Sequence, residues 1–227
     1  MKKYELALET EKTFLGIKMF RVRALISFGS VVAGELGGYI EKEDNLSQFY
    51  GDAWVYGDAM VYGDAWVYGN AWVSGDALVY GDAMVYGDAM VYGDAMVYGN
   101  AQVYGDARVY GDAWVCGDAR VSGDARVFGN AMVYGNAQVY SDARVSGNVQ
   151  IGKFYQVKNV TNLRWSFTSL PKGVQVGCHF YSLEEWAKNH VKIGTENGLT
   201  AEMSREYFRL MKAVRRIQRL ESKEAKR

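Results

Sequence analysis

The chain has 227 residues, 26 basic and 26 acidic side chains, and a formal net charge of 0; 49% of its residues are hydrophobic. That length and composition suit one elongated domain with a small appendage. No apolar run approaches the length of a membrane span. Two cysteines, Cys116 and Cys178, are too few for a disulfide framework and form no metal-ligand cluster, and nothing implies a cofactor.

Residues 1–46 read as a lead-in. The opening Met1-Lys2-Lys3-Tyr4-Glu5-Leu6 lacks the apolar core of a signal peptide, so the expected location is the cytoplasm. Leu15, Ile17 and Met19 alternate, and Val22 and Leu25 follow, which predicts two short strands. Their expected role is to cap the first coil of what comes next, because a solenoid end must not present an unpaired edge. Ser47 and Phe49 already hold the phase of the following repeat, which puts the start of coiling at residue 47.

From Gly51 to Gly152 a six-residue phrase, G-[D/N]-A-x-V-[Y/S], recurs seventeen times (102 residues at six each). Within Gly51-Asp52-Ala53-Trp54-Val55-Tyr56, Ala53 and Val55 point to one side of a strand and Trp54 and Tyr56 to the other. The next Gly-Asp breaks the strand, since Gly takes positive φ freely and Asp or Asn stabilises turns. No unit has room for a helix. Coiling the chain so that Ala and Val from every strand face a shared axis gives the repeat an interior, with each coil hydrogen-bonded to the next about 4.8 Å away.

The V-x-G-[D/N]-A-x pattern resembles the hexapeptide repeat of left-handed β-helix proteins, in which three hexads make one triangular coil of 18 residues. The left hand comes from that resemblance alone. The stretch Gly34-Glu35-Leu36-Gly37-Gly38-Tyr39-Ile40-Glu41 ahead of the array, and Val176-Gly177-Cys178-His179 and Ser182-Leu183-Glu184-Glu185-Trp186 after it, resemble hexapeptide-repeat proteins carried by phages and prophages. That resemblance implies a phage-related origin, and a host-cell cytoplasm as the location, without supplying an activity.

Positions 18 apart then stack. The second face carries Met60, Leu78, Met96, Trp114, Met132 and Gln150 beside Tyr62, Tyr80, Tyr98, Cys116 and Tyr134, with no charge among them. So large an apolar surface is rare when left open. It is expected to be covered by another protomer or by the C-terminal region, or else to receive a foreign partner such as a host protein. Three-fold assembly is the habit of the resembling prisms, so a homotrimer is expected.

The first face changes along its axis from Trp54, Trp72 and Met90 to Arg108, Arg126 and Arg144, with Tyr110 and Phe128 alongside and Arg120 around the corner. Arginine beside aromatic rings can hold an anion and stack a planar group. It can equally lie over the rings for cation–π contact alone. Nucleic acid is disfavoured, because the repeats carry twelve Asp against four Arg. Corner carboxylates such as Asp52, Asp88 and Asp106 could ligate Ca²⁺, but the free exchange of Asp with Asn favours a structural role in the turns. Many hexapeptide-repeat proteins are acyltransferases with a histidine base. Here His179 and His190 both lie outside the repeats, and no loop interrupts them.

Beyond residue 152 the period is lost, and 153–227 read as a small α+β appendage. Tyr155–Val157, Trp165–Thr168 and Val174–Val176 predict strands, with a turn at Pro171-Lys172-Gly173. Ser182 and Glu185 form a capping box, and Thr200 is placed to cap a last helix. In that helix Met203, Tyr207, Leu210, Met211, Val214, Ile217 and Leu220 form one stripe among arginines and lysines. The stripe is expected to dock on a protomer. The sequence therefore predicts a left-handed parallel β-helix at residues 47–152 with a small N-terminal β cap and a C-terminal α-helical appendage. The function it points to is a non-enzymatic phage binding protein that counters host defence by sequestering a small anionic ligand or a host protein. The alternatives are a passive self-assembling scaffold and an acyltransferase.

Overall fold

The computed structural model describes residues 2–49, 51–147, 149–152, 156–160, 167–170, 173–176, 179–196 and 198–224, with only the backbone at 156–160, 167, 175–176, 179 and 217–224. Of the expected strands, Gln156–Val157 and Phe167–Thr168 are observed as strand, whereas Tyr155, Trp165 and Ser166 lie outside the described residues, as do Pro171, Lys172 and Cys178, and the Ile217 and Leu220 side chains are not described. The chain opens with β1 (Tyr4–Phe14), β2 (Ile17–Ala24) and β3 (Leu36–Ile40). Seventeen short strands follow, one per hexad, from β4 (Trp54–Val55) to β20 (Gln150–Ile151). Then come β21 (Gln156–Val160), β22 (Phe167–Leu170), β23 (Gly173–Val176), β24 (His179–Ser182), α1 (Leu183–Glu196) and α2 (Ala201–Glu224).

The short strands form a three-sided parallel solenoid of about six turns. On the first side Trp54, Trp72, Met90, Arg108, Arg126 and Arg144 stand in register in successive strands. The second side stacks Met60, Leu78, Met96, Trp114, Met132 and Gln150. The third stacks Trp66, Met84, Gln102, Arg120 and Gln138. The 18-residue spacing read from the sequence is the observed register throughout. Inside, Ala53 to Ala143 and Val55 to Val145 are buried at every hexad. Each enclosed valine contributes roughly 1.5 kcal/mol of burial.

The glycines make this stacking possible. Gly93 has φ +73, and a Cβ there would sit 3.0 Å from the backbone nitrogen of Gly111 in the next coil. The coils touch backbone to backbone at the corners, so neither the torsion nor the space admits a side chain. Ser141, in the last full coil, is the non-glycine exception and keeps a φ of 56.

The interior column begins earlier than residue 47. Ile40 pairs with Val61 and Leu46 with Val67, both in parallel, at a spacing of 21 rather than 18. Both side chains are buried in the same core. Phe49, in phase with the later valines, is 78% exposed. Three extra residues between Leu46 and Val55 therefore shift the phase, and Leu46 takes the inner place.

Corner carbonyls of each coil accept from the coil before: Ala53 N–H donates to Gly69 O and Trp54 N–H to Ala71 O. The first repeat coil has no such donors beneath it, and the N-terminal segment supplies them. Lys3 Nζ donates to Ala53 O at 3.0 Å and to Gly51 O at 3.4 Å. Arg21 donates to Gly57 O at 2.9 Å and pairs with Asp58. Asn45 Nδ2 donates to Gly63 O at 3.0 Å and Ala65 O at 2.8 Å. The Tyr39 N–H reaches Ala59 O at 2.9 Å. At the far end the mismatch reverses, and the Arg144 N–H finds the Thr168 hydroxyl at 3.2 Å.

β21 continues the third side in parallel, and β22 to β24 add an antiparallel meander to it. Val174, Trp186, Leu199, Tyr207 and Met211 form a second core. Met203, Tyr207, Met211 and Val214 of the α2 stripe thus pack in the chain's own C-terminal core while Leu210 is exposed, and Arg215 donates to Leu170 O at 2.6 Å. The capping box is present, with the Glu185 N–H on Ser182 Oγ at 3.2 Å and the Ser182 N–H on Glu185 Oε2 at 2.8 Å. Thr200 caps α2 through the Met203 N–H at 3.1 Å.

Candidate functional site

Parallel in-register pairing turns a sequence period into a column, so outward side chains 18 apart meet whether or not their charges agree. Arg108, Arg126 and Arg144 are neighbours in this way on the first side. Beside them Tyr92 and Tyr110 stack with ring centroids 4.8 Å apart and 1° between planes. Tyr110 and Phe128 continue the stack at 5.0 Å and 3°. Among the described residues no carboxylate lies within ion-pair distance of any of the three arginines. Burial raises the Tyr92 hydroxyl above its ordinary pKa, Tyr110 adds to the rise, and nearby Arg108 and Arg126 oppose it. The result is three cations in a row along a flat aromatic rail, open over Arg108 and Arg144.

The lower end of the same side is closed. Trp54 is fully buried, with Phe28 at 5.4 Å and Tyr4 at 6.1 Å, both edge-on. Its indole N–H has no hydrogen-bond partner among the described residues. Lys3 lies 4.8 Å from the Phe28 ring, and burial pulls its ammonium down to a pKa of about 8 against the opposing pull of Asp52.

Arg120 stands apart from the arginine column, on the third side between Gln102 and Gln138. There it lines a cavity of about 250 Å³ with Tyr104, Ser122, Gln138 and Tyr140. Of these five the sequence reading singled out Arg120 alone. The available signal was Ser122, where a tyrosine column loses one ring.

On the second side the expected interface residues divide. Met60 and Tyr62 are buried under the β1–β2 hairpin, in a cluster with Met19 that Phe14, Ile17, Tyr39, Leu78 and Tyr80 surround. The cover at this end is the N-terminal hairpin, whereas the C-terminal region packs elsewhere. Further along, Met96 and Met132 are half-buried, while Trp114 is 37% and Tyr134 39% exposed. Tyr80 and Tyr98 stack at 4.9 Å. The neighbouring Cys116 side chain and, behind it, burial raise the Tyr98 hydroxyl above its ordinary pKa.

At the corners, side-chain hydrogen bonds run along the axis. Asn70 Nδ2 donates to Asp88 at 2.9 Å, and Asn100 Nδ2 to Asp118 at 2.9 Å. An asparagine between aspartates thus relieves like-charge stacking. A second cavity, about 520 Å³, lies at the base of the third side, where Glu43, Asp44 and Asp64 face Lys2, Phe49 and Trp66. Its acidic rim is the wrong sign for an anion.

A family model described as YdcK beta solenoid repeat matches residues 53–69, 101–117, 119–135 and 125–141. The chain is similar to that repeat over those parts of the solenoid. Comparison with curated proteins gave no match.

Proposed function

We propose that the chain is a non-catalytic binding protein that holds a small, planar anion of nucleotide-like chemistry against its arginine-bearing side. The observation that carries this is the row Arg108, Arg126 and Arg144 beside Tyr110 and Phe128, without a carboxylate at ion-pair distance among the described residues. Stacked like charges repel, and an anion laid across the column removes that repulsion while gaining charge-assisted hydrogen bonds. A flat ring would stack on the end of the aromatic column, at Phe128, where the next position is Ser146 rather than another ring. Binding by occupancy fits the phage or prophage setting that the sequence resemblance implies, in which such a protein withholds a signal from host defence. The same resemblance carries the left-handed winding.

Assembly belongs to the same reading. The open part of the second side, Met96, Trp114, Met132 and Tyr134, is where protomers of a homotrimer would meet. The competing reading is a passive scaffold, favoured by the same exposed Trp114 and Tyr134. Titration calorimetry with linear and cyclic mononucleotides tests the proposal. A binding component that Arg126→Ala removes supports it. Heat for none of them, or an affinity indifferent to Arg126→Ala, overturns it.

A further inference from the structure

The outermost position of each hexad builds a ladder of rings. On the third side Tyr68 and Tyr86 stack at 4.8 Å and 4°, and Tyr86 and Tyr104 at 4.9 Å and 4°. The next rung is Ser122 and the one after is Tyr140. Ser122 sits where a ring is due, so Tyr104 and Tyr140 stand two coils apart, about 9.6 Å at the usual strand spacing. A flat ring placed midway would lie about 4.8 Å from each, the spacing that the ladder already uses. The cavity of about 250 Å³ found there is lined by those two tyrosines, Ser122, Arg120 and Gln138.

Ser146 and Gly152 end their columns, and two other rungs are missing between rings, both compromised. At Ser74 on the first side, Trp72 leans over Tyr56 at 5.3 Å and 50°, out of the ladder's plane. At Cys116 on the second side, the rung is filled by a thiol in register beside Tyr98. The Ser122 gap combines a ring-sized opening with a cation and two neutral polar side chains.

We propose that the gap between Tyr104 and Tyr140 is a second binding site, which takes the base of a purine or pyrimidine mononucleotide as the absent rung. The ring stacks between the two phenols. The Ser122 hydroxyl and the Gln138 carboxamide offer donors and acceptors to its edge, which a heteroaromatic base uses and a plain phenyl does not. The Arg120 guanidinium takes the phosphate. This rests on the ligand class proposed above but not on the arginine column, since Arg120 lies on a different sheet from Arg108 and Arg126.

The test is titration of the full chain with adenosine monophosphate and with adenosine, monitored by calorimetry. Ser122→Tyr completes the ladder with the residue that its neighbours already use, and thermal melting confirms that it folds. The site predicts that this variant weakens adenosine monophosphate binding by roughly tenfold or more, the worth of a lost stacking contact. Arg120→Gln, at an exposed position, is predicted to bring the affinity for adenosine monophosphate down to that for adenosine. Both effects are predicted to persist in an Arg126→Ala background. Binding unchanged by Ser122→Tyr but abolished by Arg126→Ala overturns the slot and leaves the arginine column standing. Binding unchanged by all three variants, or absent from the native chain, overturns both.

Discussion

The stack of corner glycines makes a quantitative demand. Gly93→Ala and Gly147→Ala put the same methyl group on nearly the same backbone, with φ of +73 and +67. Each costs about 1–2 kcal/mol for an L-residue in the left-handed region. Each also gains about 0.4–1 kcal/mol from a stiffer unfolded chain. Those terms cancel between the two variants. What differs is the space: at Gly93 the methyl meets the Gly111 nitrogen at 3.0 Å, while at Gly147 nothing among the described residues lies within 4 Å. A clash with backbone cannot be relieved by a rotamer change, and overpacking of this kind costs about 1–3 kcal/mol. Gly93→Ala should therefore lose about 1–3 kcal/mol more than Gly147→Ala. Urea unfolding followed by tryptophan fluorescence measures both. Because coils in a solenoid need not unfold with equal weight, Val91→Ala and Val145→Ala, both fully buried and each two residues before its glycine, calibrate for position. If the two glycine variants lose equally once scaled to their valine partners, backbone contact between coils is not what excludes side chains.

Other outcomes follow from the two ends and the open side. Asn45→Ala strips donors from two carbonyls, Gly63 O and Ala65 O, at a fully buried site, and should lower stability by about 2–4 kcal/mol in the same urea assay. Lys3 releases its proton near pH 8 in the folded chain against an ordinary value of 10.5, so the unfolded chain binds more protons between those limits and stability should rise with pH there. Burial lifts Tyr62, Tyr68, Tyr80, Tyr86 and Tyr92 above their ordinary 10.0, so the unfolded chain ionises first and stability should fall above pH 10. Lys3→Met should abolish the rising limb and leave the falling one, as read by melting temperature against pH. Trp114→Glu should convert a trimer to a monomer by light scattering, and a native chain that is already monomeric would contradict assembly through that side.

The solenoid was legible because its signal repeats. A single hexad is ambiguous, but Trp54, Trp72, Met90 and Arg108 at a fixed interval of 18 leave one register, and that register is observed. The helix caps at Ser182 and Thr200 were legible for a similar reason, since each is a short-range rule. The N-terminal hairpin was not. β1 runs eleven residues through Glu9, Lys12 and Thr13 with no clean alternation, because from Leu8 onward it is exposed or only half-buried. Its burial of Met60 and Tyr62 is a long-range contact with no periodic trace. The 21-residue offset at Leu46 was hidden in the same way: Phe49 has the right chemistry and phase for the interior, and only the position of β3 against the first coil shows that Leu46 is inside. The arginine column could be read from spacing alone. The Tyr104–Tyr140 gap left only the trace of Ser122 in a tyrosine column, because the opening beside Arg120 and Gln138 is set by packing between coils.

The most direct test of the account is nuclear magnetic resonance of the arginine Nε–H groups during titration with a mononucleotide. Assignments come from single Arg→Lys variants at 108, 120, 126 and 144. The account predicts that Arg108, Arg126 and Arg144 shift together and saturably while Arg205, Arg209 and Arg216 of α2 stay still. Shifts confined to α2, or none in the solenoid, would contradict it.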